Sequence, residues 1–159
     1  MISSLDNGRA AALFAGLTAL VVIAAALVLE HGFGYAPCPL CLQQRWPYYI
    51  GVPCAFLLAG LAGRLPPRVT GLLLVALAGL FAWGMALGIY HAGAEWKFWP
   101  GPSTCGGSLG DGLPTLTNDP VVRCDEAAIR ILGLSLAGWN AVICAALAAV
   151  ALRGASRKI

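Results

Sequence analysis

Four runs of apolar residues divide the chain: Ala10 to Leu29, Trp46 to Ala62, Gly71 to Tyr90 and Leu132 to Leu152. A helix that crosses a bilayer needs about 17–25 such residues. The second run reaches that length when Gln43 and Gln44 lie at the interface. The pattern predicts helices over about 10–30, 43–62, 70–90 and 132–152. Together they make an all-α integral membrane four-helix bundle, a single domain over 1–159, with a long outer loop between the third and fourth helices. The first run has a basic start at Arg9 and small residues at Ala24–Ala26, as a secretory signal would. Its apolar stretch is longer than the roughly 7–15 residues of a signal core, so it is expected to stay as a helix.

Composition agrees with the pattern. Of 159 residues, 59% are hydrophobic and 11% charged, and the mean hydropathy is +0.79. A soluble domain carries about 25% charged residues, so this chain cannot clothe itself in charge. The net charge of +3 is small and forms no nucleic-acid-binding patch. Arg9, Arg64, Arg68, Arg153, Arg157 and Lys158 fall in the N-terminus, the second loop and the C-terminus, which four helices place on one side. Basic loops stay cytoplasmic, so the first and third loops should face outward. Arg45, Lys97, Arg123 and Arg130 lie on that outer side, with Glu95, Asp111, Asp119, Asp125 and Glu126 in the third loop. Gly84 with Gly88, and Gly51 with Ala55 and Ala59, repeat at the four-residue spacing that lets membrane helices approach closely. Asn140 is expected to hydrogen-bond across a helix interface, and Trp96, Phe98 and Trp99 to form an aromatic belt in the outer headgroup region.

The six cysteines sort by depth. Cys54 and Cys144 fall inside helices and should simply pack, since free cysteine behaves as a small hydrophobe. Cys38 and Cys41 stand in the outer first loop, Cys105 and Cys124 in the outer third. Both pairs therefore face the side where disulfides persist. Cys105 and Cys124 could merely close a loop rich in Gly and Pro. That account suits Cys38 and Cys41 poorly, because a bridge across two residues constrains little chain entropy. A four-cysteine zinc site would want two close pairs of ligands, and Cys105 and Cys124 are far apart in sequence. Haem attachment would need His after Cys41, where Leu42 stands. No metal ligand is therefore assigned.

Local chemistry favours a reactive pair. Pro39 suits a first helical position, with Cys38 as the cap. Cys41 then lies in the first turn, near the positive end of the helix dipole. Arg45, four residues on, shares its face; it could lower a thiol pKa or simply snorkel to headgroups. Pro47 is expected to kink or restart the helix.

At these residues the chain resembles the disulfide bond formation protein B (DsbB) family of membrane thiol oxidases. The likeness rests on four helices, Cys-Pro-Leu-Cys before the second, Arg45 after Cys41, and a second cysteine pair in the outer third loop. It implies a protein-disulfide:quinone oxidoreductase of the bacterial inner membrane, with both termini cytoplasmic and the cysteine loops periplasmic. Ubiquinone or menaquinone would be the electron acceptor and a DsbA-like periplasmic thiol oxidase the partner. Cys38 and Cys41 match the quinone-linked pair, with Cys41 facing quinone. Cys105 and Cys124 match the pair that meets the partner. Arg45 and His91 match positions near quinone, and Gln44 stands where some members carry a glutamate. Other readings compete: an enzyme like vitamin K epoxide reductase, whose C-x-x-C would sit in a late helix; a thiol-based metal-binding membrane protein; and a membrane protein with purely structural disulfides.

Overall fold

The computed structural model describes residues 2–102 and 124–156, with side chains from residue 7 onward. Four helices dominate: α1 (Ile2–Phe33), α2 (Pro39–Leu61), α3 (Pro67–Glu95) and α4 (Leu136–Ser156), with a two-stranded hairpin, β1 (Arg130–Ile131) and β2 (Leu134–Ser135), before α4. Three of them, α1, α3 and α4, are long and apolar enough to cross a membrane. At 23 residues, α2 extends about 35 Å, but Gln43, Gln44 and Arg45 keep it more polar. It packs between α1 and α3, while α4 lies against α3 and α1.

The packing is turned outward. Ala12, Ala15, Ala19, Ala55, Ala59, Ala148 and Ala151 fill the interior, while Phe14, Val21, Leu57, Leu72 and Val142 are exposed. Small residues inside and bulky apolar ones outside are what lipid permits, because helix association there depends on close contact. Gly88 lies against the α4 backbone: a Cβ there would come within 2.8 Å of the Ala141 nitrogen. Gly84 makes room for Pro47 and the Cys144 sulfur, and Gly51 receives Phe81. Asn140 does bond across helices, donating to the Gly84 carbonyl at 3.2 Å and accepting from Tyr48 Oη at 2.6 Å.

Several boundaries differ from the sequence expectation, each for a local reason. α2 begins at Pro39 rather than near 43, because Cys38 caps it. It then runs through Pro47 and Pro53 without restarting; Pro47 is fully buried against Gly84, so packing holds the helix where its own hydrogen bonding is weakened. α3 continues past 90 to Glu95 and closes with Lys97 in the left-handed region (φ 61°) and Phe98 N–H bonded to the Gly93 carbonyl. Glu95, expected in the outer loop, is thereby carried into the helix and buried. α4 starts at Leu136 rather than near 132, because Leu132 (φ 52°) and Gly133 (φ 84°) make the tight hairpin turn first. Ser135 then caps the helix, its Oγ accepting from the Gly138 N–H at 3.1 Å.

Candidate active site

The site is built on the first turn of α2 and the last turn of α3. Cys38 has extended backbone (φ −74°, ψ 164°), as a cap requires, and its sulfur accepts from the Cys41 N–H at 3.1 Å. One helical turn therefore brings the two sulfurs to 2.7 Å, both as free thiols. Cys38 is buried and Cys41 half-buried. From α3, His91 reaches across with Nε2 3.6 Å from the Cys38 sulfur.

Gln44 sets which ring nitrogen faces the cysteines. Its amide nitrogen approaches the Leu40 carbonyl at 3.4 Å and His91 Nδ1 at 2.6 Å. An amide N–H can only donate, so in this amide orientation Nδ1 is the acceptor and Nε2 is the nitrogen turned toward Cys38. The same nitrogen lies 3.7 Å from Glu95 Oε1, one turn along α3. The Glu95 side chain is 5% exposed, and its Oε2 has no hydrogen-bond partner among the described residues.

These contacts make Cys38 an acidic thiol, pulled down to about 4. The largest cause is the Cys41 thiol, which holds the Cys38 thiolate by a hydrogen bond. Burial opposes it, and His91 and the Cys41 N–H add to it. A thiolate is the reacting form, and here it persists as pH falls until about 4. Alkylation of Cys38 in reduced, chelator-treated protein should therefore continue far below the free-cysteine midpoint of about 8.5. His91→Phe should move the midpoint up by about 1 unit; mass spectrometry of quenched samples across pH reads both, and a midpoint near that of free cysteine would refute the assignment.

The fate of the other expected site residues is mixed. Cys124 is disulfide-bonded, and it is fully buried in one cluster with Cys38 and Leu40, with Cys41 packed alongside. Lys97, just past the end of α3, holds that segment by donating to the Asp125 carboxylate at 2.6 Å and its carbonyl at 2.8 Å. Cys105 lies outside the described residues, and so does the expectation that it pairs with Cys124. Arg45 shares a helix face with Cys41, but its guanidinium donates to Glu30 at the end of α1. Of the two inner cysteines, Cys144 packs as expected, buried 3.2 Å from Tyr48 Oη. Cys54 instead faces outward from α2.

Sequence reasoning missed Glu30, Glu95 and the Lys97–Asp125 tie. The only available signal for Glu95 was its four-residue spacing from His91, which matters once α3 is known to reach that far. Cys38, Cys41 and His91 offer three ligand atoms within 4.8 Å of one another, a set that could hold a metal ion. The end of α3, the aromatic segment after it and Ala141 of α4 line an open apolar hollow of about 370 Å³, formed by Ile89, Gly93, Trp96, Phe98, Trp99 and Ala141.

Comparison with known proteins bears on this arrangement. The family model described as disulfide bond formation protein DsbB matches residues 8–153. Disulfide bond formation protein B of Marinobacter nauticus is 35% identical over 144 residues, covering 80% of this chain and 81% of the relative. That of Aromatoleum aromaticum is 33% identical over 163 residues, covering 92% and 93%. That of Cupriavidus necator is 30% identical over 146 residues, covering 86% and 85%. No solved structure matches significantly. With a helix-capped Cys-Pro-Leu-Cys pair packed against a disulfide-bonded cysteine, and a family match over nearly all its length, this multi-pass membrane chain belongs to the disulfide bond formation protein B family.

Proposed function

We propose that this chain is a protein-disulfide:quinone oxidoreductase of the bacterial inner membrane. It would be a four-helix bundle with both termini cytoplasmic and the cysteine loops periplasmic, reoxidising a DsbA-like thiol oxidase. The observation that carries the reading is the buried contact between Cys124, disulfide-bonded, and Cys38, a free thiol beside Cys41. Two redox pairs in contact can exchange electrons by thiol–disulfide attack, the route such chemistry takes.

The steps follow from that contact. The partner's thiolate attacks the Cys105–Cys124 disulfide at Cys105, forming a mixed disulfide and releasing Cys124 as thiolate. The partner's second thiol resolves that bond, releasing oxidised partner and the Cys105 thiolate, while Cys124 attacks an oxidised Cys38–Cys41 pair at Cys38. That attack frees Cys41, leaves Cys38 joined to Cys124 and moves the electrons inward. The Cys105 thiolate then attacks Cys124, re-forming their disulfide and freeing Cys38, so thiols at Cys38 and Cys41 with Cys124 in a disulfide match the state after that transfer. His91 then holds Cys38 as a thiolate, and Cys38 re-forms its bond to Cys41.

Ubiquinone or menaquinone supplies the acceptor of the two electrons and two thiol protons. The residues present suit such a group. The apolar aromatic cavity is of a size that takes a small ring compound. Arg45 and His91 are the residues that would hold it. The test is quinone reduction by the purified protein in detergent, with a reduced thioredoxin-like protein as donor. Multiple turnovers per chain, followed by quinone absorbance, are expected. Oxidation of the donor without quinone reduction would overturn the reading.

A further inference from the structure

In its dithiol state the site has a second capacity. We propose that Cys38, Cys41, His91 and Glu95 form a binding site for one thiophilic divalent cation, of which Zn²⁺ is the type, and that disulfide formation destroys the site. The site itself goes beyond the quinone reading; only its inhibitory consequence rests on it.

Three ligand atoms, the two sulfurs and a histidine nitrogen, already lie within 4.8 Å of one another. The independent observation is Glu95. Its side chain is 5% exposed, Oε1 is 3.7 Å from His91 Nε2, and Oε2 is buried with no partner among the described residues. A carboxylate oxygen left unsatisfied in so buried a place calls for an occupant. Two thiolates, one imidazole and one carboxylate make a tetrahedral S₂NO set of the kind zinc takes. The donor set also selects by softness, since thiolate disfavours Mg²⁺ and Ca²⁺.

The geometry requires three adjustments: Glu95, whose Oε1 is now 3.7 Å from His91 Nε2, must turn toward the sulfurs, and two more follow. Zinc–sulfur bonds of about 2.3 Å in a tetrahedron hold the sulfurs about 3.8 Å apart, so the pair must open from its present 2.7 Å. Cys41, half-buried, has the freedom to swing. Metal on Nε2 also needs the ring hydrogen on Nδ1. Turning over the Gln44 amide, now 2.6 Å from Nδ1, presents its oxygen as acceptor, the outer hydrogen bond that orients metal-bound histidine. Capture is balanced: one cation enters as M²⁺ at the Cys38 thiolate, the Cys41 sulfur–hydrogen bond breaks, two metal–sulfur bonds form and one proton leaves to solvent. No electrons move, so oxidation and metal binding compete for the same sulfur lone pairs.

Co²⁺ titration tests this in the full-length protein carrying Cys105→Ser and Cys124→Ser, reduced with a phosphine and kept anaerobic. One Co²⁺ per chain is expected, with the visible bands of tetrahedral thiolate cobalt, displaced by Zn²⁺. The Cys38–Cys41 disulfide form should show none. Glu95→Gln and His91→Ala should each weaken binding at least about tenfold and shift the bands. Gln44→Glu should tighten it, which a variant that merely misfolds would not do. Cobalt bound equally by the parent, Glu95→Gln and His91→Ala would mean adventitious chelation by the dithiol and would overturn the proposal, as would no binding to the reduced parent. Protection of Cys38 and Cys41 from alkylation by Zn²⁺ needs no quinone. A protein that shows it but never reduces quinone keeps the site and loses the oxidase reading.

Discussion

Serine in place of Cys38, Cys41, Cys105 or Cys124 is expected to lower quinone-linked turnover by at least about 10³-fold, as removing a covalent catalyst does. Cys54→Ala and Cys144→Ala should keep most of it. The contrast follows from position. Cys38, Cys41 and Cys124 share one buried cluster at the N-terminal end of α2. Cys144 instead sits in the middle of α4 beside Tyr48 and Asn140, and Cys54 faces away from the interior. Losing the Cys144 sulfur leaves Tyr48 its 2.6 Å bond to Asn140, so the cost is about 1 kcal/mol of packing. The four reactive cysteines also separate by product. A partner that keeps only its attacking cysteine lacks the thiol that resolves the adduct, so a mixed disulfide through Cys105 should accumulate on a non-reducing gel. Adding Cys105→Ser should remove it. An adduct mapped to Cys38 would reverse the roles of the two pairs, and turnover abolished by Cys144→Ala in folded protein would defeat the sorting by depth.

The features that local rules govern were legible in the sequence. Pro39 after Cys38 marks a helix start with the cysteine as cap, and the structure has that cap. Glycines at 84 and 88 mark a close helix approach, and α4 meets them. What was not legible depends on distant partners. Gln44 reads as an interfacial amide, yet it faces His91 across 47 positions and contacts its Nδ1. Glu95 reads as a loop charge because the apolar run ends near Tyr90; the helix carries on for another turn and buries it. The start of α4 was misplaced because hydrophobicity does not register a hairpin turn at Leu132 and Gly133. Arg45 shows the limit best. Its spacing correctly puts it on the Cys41 face of α2, but spacing within one helix cannot reveal that α1 ends beside it with Glu30.

Arg45→Met is expected to raise the quinone KM at least about tenfold, equivalent to about 1.4 kcal/mol of lost binding. The arginine lies one turn along α2 from Cys41 with its side chain 11% exposed. Its ion pair with Glu30, 24% exposed, supplies a competing account: the arginine ties α2 to α1 and nothing more. Breaking such a partly buried pair from either side costs about 1–3 kcal/mol, because the remaining charge loses its partner. The two accounts separate when both partners are changed. Under the tie alone, Arg45→Met and Glu30→Gln lower the melting temperature alike and leave KM alone. Under quinone binding, Glu30→Gln releases the guanidinium, so KM holds or falls while stability drops, and only Arg45→Met raises KM. Arg45→Lys should lie between the parent and Arg45→Met, since lysine keeps the charge and loses the planar fork that reaches carboxylate and ring oxygen together. An unchanged KM in Arg45→Met, with stability lost equally in Glu30→Gln, would leave Arg45 a strut between two helices and move the quinone contact to the His91 side of the pair.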